Sequence, residues 1–469
     1  IVDAENKTIV PGLIDAHCHF YRMGLQQQKV SLEGTKSYDE VLEKLVAFQK
    51  EKNNTFITGR GWDQNDWELK EFPTKEKLDA LFPKIPVAVG RVDGHALLVN
   101  QVAINMAGIT KNTKVSGGEI ILKNGKLTGV LIDAAMDFIK FPKTSNKEAI
   151  QGLLDAQKIA FSYGLTTVDD AGLDRKTIEL IDSLQKAKSL KIRVYAMVSG
   201  DKQAQIDYYI KKGIVKTDKL NVRSFKIYGD GALGSRGAAM RTSYSDRENH
   251  FGALIYPPER YQEIAKQIAA SDYQMNTHAI GDSTNSWMLK TYKEVLKDSK
   301  NRRWRIEHAQ IISEEDFNHF DNILPSVQPT HATSDMYWAG DRVGAKRMKG
   351  AYAFKKLLNT YGKIALGTDF PVEQVNPFLT FYAATIRKDT DNYPKNGFQI
   401  ENALTREETL KGMTIWAAYS NFEEDEKGSI EVGKFADFVL LNQDIMKVEG
   451  SEIPKTNAVS TYLNGEKVY

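Results

Sequence analysis

Eight short apolar runs, most of them followed by a segment with helical spacing, constrain the fold of this chain more than any other feature. They are LIDAHCH (13–19), LTTVDDA (165–171), IRVYAMV (192–198), SFKIYGDG (224–231), MNTHAIGD (275–282), RIEHAQ (305–310), LPSVQPT (324–330) and KIALGTD (363–369). After the first, their centres fall mostly about 20–40 residues apart, the length of one strand, one loop and one helix. KEAIQGLLDAQKIAFSYG (147–164) and PERYQEIAKQIAA (258–270) show the amphipathic spacing expected of the helices between them. Eight such units predict an α/β fold, a (β/α)8 TIM barrel, whose catalytic groups sit at the C-terminal strand ends.

Three interruptions and the two ends complete the expected architecture. About 120 residues rich in turns and tryptophan (GRGWDQNDW, 59–67; RVDGHALLVN, 91–100) separate the first run from the next barrel helix, too many for a loop. They predict a subdomain at 31–142, inserted after barrel strand 1 and placed over the barrel mouth. The Gly-rich GDGALGSRGAAMR (229–241) and the segment 331–362 lengthen the loops after strands four and seven. IVDAENKTIV (1–10) and GSIEVGKFADFVLL (428–441) are β-branched runs, and STYLNGEKVY carries an Asn-Gly turn. They predict a small β-sandwich domain built from 1–10 and 421–469, with 11–30 and 143–420 forming the barrel. Because residue 1 already lies inside a strand pattern, the N-terminal part of that domain is expected to be missing from the chain.

Composition excludes several classes. Lys+Arg 63 against Asp+Glu 61 leaves a formal net charge of +2, and without a basic block nothing points to nucleic acid. No uninterrupted apolar run approaches the roughly 18 residues of a membrane span. IVDAENKTIVPG has neither the basic leader nor the apolar stretch of a secretory signal. A removed signal would leave no trace, so the expected soluble protein is cytoplasmic or exported. Cys18 is the single cysteine, which excludes an internal disulfide and a four-thiolate zinc site.

On a strand, side chains at i and i+2 share a face. His17 and His19 can therefore reach one metal while Cys18 packs into the layer between strands and helices. A His-x-His pair alone says little, since a barrel histidine is often just a hydrogen-bonded core residue. Its meaning comes from the other strand ends: Lys226 in SFK, His278 in MNTH, His308 in RIEH and Asp369 in ALGTD. Four of the eight histidines thus stand at predicted strand ends. Imidazoles and a carboxylate converging on one mouth suit a zinc-like divalent cation.

PGLIDAHCH, RGWDQNDW, RVDGHALLVN, FKIYGDGALGSRGA, THAIGD, RIEHAQ, LGTDFPVE and GSIEVGKFADFVLL, in this order, resemble the amidohydrolase superfamily. Within it the chain is similar to the YtcJ-like branch that includes N-substituted formamide deformylase. The resemblance implies that His17, His19 and Asp369 hold the more buried metal and that His278 and His308 hold the second. It also implies that Lys226, carboxylated by CO2, bridges two Zn2+ ions, or that the site holds one metal if Lys226 is unmodified.

The function expected on this basis is hydrolysis of a non-peptide C–N bond, of amide or formamide type. Asp369 acts as general base and then as general acid. Trp62, Asp63, His95, Arg236 and His331, on the long loops, are the expected substrate contacts, and Trp62, Tyr228 and Trp338 favour a partly apolar small molecule. A homodimer is left open. A single-metal deaminase would place a glutamate shortly after the strand-five histidine, where this chain reads THAIGD. An esterase or lactonase would use the same centre, and a scaffold that had lost catalysis would lack ligands that are all present here.

Overall fold

The computed structural model describes residues 2–297, 299 and 301–469. Ile1, the first residue of the terminal β-run, lies outside the described residues. The chain divides into two compact units, Ile1–Met23 with Leu153–Tyr469, and Gly24–Gly152.

In the first unit eight parallel strands follow one another: β1 (Leu13–Cys18), β2 (Leu165–Leu173), β3 (Arg193–Ser199), β4 (Leu220–Tyr228), β5 (Gln274–Ala279), β6 (Arg305–His308), β7 (Leu324–Val327) and β8 (Ala365–Leu366). Each pairs with its sequence neighbour from β1 to β8. Just beyond β8 the backbone returns to β1: Asp369 N donates to His17 O and His19 N to Phe370 O, each at 2.8 Å. The sheet therefore meets itself as a (β/α)8 barrel. Its eighth strand is shorter than KIALGTD predicts, because Thr368 turns to bond Asp15 (N–Oδ1 3.0 Å, Oγ1–Oδ2 2.7 Å) and Asp369 takes φ +65°.

Local signals explain where the helices start. Ser145 and Glu148 exchange the two bonds of a capping box before Asn146–Ser162. Asp174 caps Arg175–Lys186, and Pro258 opens Pro258–Ala269 at its first turn. The apolar core lies between strands and helices, where Val168, Phe225, Ile227, Met275 and Ile306 are 0–1 % exposed. The opposite face of the same strands carries Asp169, Ser224, Lys226, Asn276, Arg305 and Glu307, also buried.

The chain ends build a four-stranded antiparallel sheet from Thr8–Pro11, Phe438–Leu441, Ala458–Leu463 and Glu466–Lys467. Arg193 at the start of β3 forks onto Asp437, just before the second of these strands, at 2.7 and 3.0 Å. The second unit holds a six-stranded mixed sheet in the order Val30–Ser31, Ile57–Trp62, Val87–Arg91, Ala96–Val99, Lys126–Asp133, Gly118–Lys123. Tyr38–Lys52, capped by Ser37, covers it through Val41, Leu42 and Leu45. Among the described residues no helix is long and apolar enough to cross a membrane.

Arg193 and Asp437 are both 3 % exposed at the side chain, and removing one partner strands the other charge in a dry place. Arg193→Met should therefore lower the stability of the barrel unit by about 3–5 kcal/mol. Arg175→Ala, whose partner Glu179 is half exposed, should shift it far less. Urea midpoints of the two variants test this; equal shifts would refute it.

Candidate metal centre

β1 delivers two imidazoles to the C-terminal end of the barrel. His17 Nδ1 stands 2.5 Å from Glu307 Oε2, and His19 Nδ1 stands 3.0 Å from the Ala171 carbonyl oxygen. A carbonyl only accepts, so His19 carries its proton on Nδ1. Glu307 imposes the same tautomer on His17: burial pushes its carboxyl up, but the His17 ring and Arg305 outweigh that and hold it down at about 2. Both Nε2 lone pairs thus turn toward Asp369, whose Oδ1 lies 3.2 Å from His19 Nε2 and 3.8 Å from His17 Nε2.

Cys18, between the two histidines, is fully buried in the strand–helix layer with its Sγ 3.5 Å from Asp169 O. Burial pushes its thiol well above the ordinary range, so the thiolate needed for ligation is disfavoured.

Asp369 is the hub. Its Oδ2 lies 3.2 Å from His331 Nε2, whose Nδ1 faces Glu373 Oε1 at 3.1 Å. Burial alone would lower the His331 pKa, yet its bonds with Asp369 and Glu373 carry it up to about 10. Burial also opposes ionisation of Asp369, and the imidazoles gathered around it, His331 bonded to Oδ2 among them, overcome it and hold the carboxyl well below its usual range.

His308 and Asp369 reach the mouth through left-handed backbone, φ +72° and +65°, where His and Asp are among the side chains best tolerated. Arg305 and Glu307 face the barrel interior, so strand alternation alone would send His308 outward. The positive φ turns it back, and its ring stands 4.9 Å from His17 and 4.4 Å from His278. Lys226 Nζ reaches within 3.0 Å of His17 Nε2. Burial, only partly offset by Glu307 and Asp369, lowers its pKa to about 8. Burial next to Lys226 likewise lowers His278 to about 3.

The residues expected as ligands are thus gathered at one mouth, and His331 lies among them. Two groups place all their ligand atoms within 4.8 Å of one another: His17, His19 and Asp369, and His308, His331 and Asp369. His331, expected to touch substrate, joins the second group, while His278 stands beside it. The donor set fits a cation for a specific reason. In the tautomers above, His19 Nε2 and Asp369 Oδ1 oppose lone pair to lone pair, and a positive ion relieves that repulsion. Among the described residues, His278 Nε2 and His308 Nδ1 are buried without a hydrogen-bond partner; the acceptor facing His278, Asp230 Oδ1, is 3.5 Å away. Uncommitted imidazole nitrogens beside a carboxylate are the ligands a zinc-like ion takes.

The remaining expected contacts are committed locally. Trp62 is fully buried within the Gly24–Gly152 unit and donates through Nε1 to Val89 O at 2.8 Å. Asp63, in that unit, accepts from Asn65 N and Arg91, and the exposed His95 pairs through Nδ1 with Asp133 at 2.7 Å. Arg236 forks onto Asp246 at 3.0 and 2.8 Å.

Several residues that shape the site went unremarked in the sequence. Glu307 and Asp15 stand inside the RIEHAQ and LIDAHCH motifs, and an acid within a wholly buried strand is a signal that could have found them. Asp230 accepts from Ala239 N, Ile280 N, Gly281 N and Thr284 Oγ1, tying the Gly-rich loop to the turn after β5. Gly367 is required: a Cβ there would stand 2.5 Å from His17 N and 2.8 Å from His17 O.

Comparison with known proteins agrees with this geometry. The model of the family described as the amidohydrolase family matches residues 1–469. Protein LONG AFTER FAR-RED 3 of Arabidopsis thaliana is 32 % identical, over 100 % of this chain and 83 % of its own length. The putative amidohydrolase YtcJ of Bacillus subtilis (strain 168) is 28 % identical over 100 % and 90 %. N-substituted formamide deformylase of Arthrobacter pascens is 23 % identical over 99 % and 89 %. A crystal structure of an uncharacterised metal-dependent hydrolase from Pyrococcus furiosus superposes with a TM-score of 0.79 at 25 % identity, covering 95 % of this chain and 90 % of that one.

If the imidazoles hold a cation and the thiol does not, Cys18→Ala purified beside the unaltered protein should keep its metal content, and His17→Ala or His19→Ala should lose most of it. Elemental analysis of the folded variants decides; loss of metal from Cys18→Ala alone would reverse the assignment.

Proposed function

The chain belongs to the amidohydrolase family and is a metal-dependent hydrolase, and from that premise we propose that it cleaves a non-peptide C–N bond, of amide or N-substituted formamide type. The observation that carries the proposal is the position of Asp369, with one carboxylate oxygen 3.2 Å from His19 and the other 3.2 Å from His331. His17, His19 and Asp369 would hold one divalent cation and His278 and His308 a second, on this reading Zn2+, and the ions would acidify a water and polarise a carbonyl.

The protein's own groups do the rest. Asp369 is strongly acidic in its setting, so it remains a carboxylate that orients the attacking water and takes its proton. The same carboxyl then hands the proton to the departing nitrogen. That step decides between products, because an amide anion is a very poor leaving group. His331 and Glu373 hold Asp369 from the side opposite His19. Within the barrel unit, His331 and Arg236 are the proposed substrate contacts, and a small, partly apolar amide is the proposed substrate.

Carboxylated Lys226 would complete the ligand set of the two cations. An ammonium cannot ligate, but a neutral amine reacts with CO2: nitrogen bonds to carbon, a proton leaves, and a carbamate results. Burial lowers Lys226 to about 8, raising the share of neutral amine available for that reaction. The formamide type is supported by the similarity to N-substituted formamide deformylase over nearly the whole chain.

A panel of N-formyl and N-acyl amines, with esters and lactones alongside, tests the reaction class on the zinc-loaded protein. Amide turnover is expected, and Asp369→Asn should lower kcat by about 10²–10⁴. Turnover of esters with none of any amide would overturn the C–N assignment. Lys226→Ala should bring a stoichiometry near two metals down toward one.

A further inference from the structure

We propose that Glu307 is a positioning residue that sets how tightly the centre holds its cation, acting through His17. Asp169 and Asn421 hold Arg305 away from it, and the inference rests on the reading of His17 as a ligand. His17 on β1 and His19 just past it present their Nε2 atoms alike, but their outer nitrogens meet different partners. His19 Nδ1 bonds a neutral carbonyl, Ala171 O at 3.0 Å, whereas His17 Nδ1 bonds a carboxylate at 2.5 Å. A carboxylate partner draws the Nδ1 proton outward and raises electron density on Nε2, making the ring a stronger donor to a cation. His17 and His19 are therefore unequal ligands, and the difference is located at Glu307.

The surroundings of Glu307 separate this role from simple packing. His17, Asp169, Arg305 and Glu307 are all fully buried. A carboxylate in such a place usually pairs directly with the available cation. Here Arg305 turns away: its Nη1 is 3.1 Å from Asp169 Oδ2 and only 3.9 Å from Glu307 Oε1. Its Nη2 donates to Ser420 O at 2.8 Å and to Asn421 Oδ1, and Asn421 Nδ2 donates to Asp169 Oδ1 at 2.7 Å. Asp169 and Asn421 thus fix the guanidinium, and Glu307 keeps Oε2 free to meet the imidazole. Glu307 Oε1 has no hydrogen-bond partner among the described residues, so the His17 contact is the directional bond that this carboxylate makes there.

Zinc affinity, measured by competition with a chromophoric chelator, is the main readout. Glu307→Gln can still accept from Nδ1 but carries no charge, and it should bind zinc about 10- to 100-fold more weakly. Glu307→Ala should lose more, and Cys18→Ala should match the unaltered protein. A second measurement needs no variant: histidine 15N–1H spectra of the metal-free protein should show His17 as the Nδ1–H tautomer with a strongly deshielded proton. Unchanged affinity in Glu307→Gln, or an Nε2–H tautomer at His17, overturns the proposal. If His17→Ala keeps its zinc, the metal-centre reading fails with it. If His17→Ala loses zinc while Glu307→Gln does not, only the role of Glu307 falls.

Discussion

Where the barrel closes, backbone bonds run from Asp369 N to His17 O and from His19 N to Phe370 O. They are unlike the other pairings of the sheet because β8 contributes only Ala365–Leu366, so the seam is made largely by residues just past the strand. Gly367 lets the two backbones approach within a distance that a methyl group would forbid. Asp15 then clamps Thr368 through both N and Oγ1. These contacts place Asp369 opposite His17 and His19, so the bonds that close the barrel also position the candidate centre. The left-handed backbone at Asp369, worth about 1–2 kcal/mol of strain, is tolerated because the seam surrounds it.

Alternation along the strands divides stability from chemistry. Phe225 and Ile227 on β4, Met275 on β5 and Ile306 on β6 face the helices and supply apolar burial. Ser224, Lys226, Asn276, Arg305 and Glu307 on the same strands face inward, where barrels usually stack branched apolar side chains. This interior is costly, since each polar group lost its water on folding. It holds because the charges sit in chains, Asn421 to Asp169 to Arg305 on one side and Glu307 to His17 on the other. The outer layer carries the stability that permits a polar axis to reach the mouth.

Much of this was legible in the sequence, and the failures have physical reasons. The eight runs with helical spacing between them predict the barrel, and i, i+2 alternation predicts that His17 and His19 share a face while Cys18 does not. Alternation could not place His308, which follows the inward-facing Glu307 and reaches the mouth only because its φ is +72°. Nor could it bring His331 close to Asp369, since His331 rides on the helix Pro329–Asp335 after β7, and a helix offset is not readable from strand spacing. Glu307 was hidden for a different reason: next to a histidine of interest, its acid reads as one more letter of RIEH until the partner, 290 residues away, is seen.

That partnership also explains why the centre can be selective about protonation. Asp369 and Glu307 are both buried, and burial pushes both carboxyls up, yet neighbouring imidazoles hold both down. Asp15 and Asp230 are buried to the same degree and rise to about 7 and about 6, because backbone and hydroxyl donors only partly offset desolvation. The distinction follows from what each acid faces. Acids bonded by backbone and hydroxyl donors brace the strand ends, and acids in closer contact with imidazoles keep their charge, the state a cation would need. Two sets of carboxylates of equal burial thereby do different work, and the histidines decide which does which.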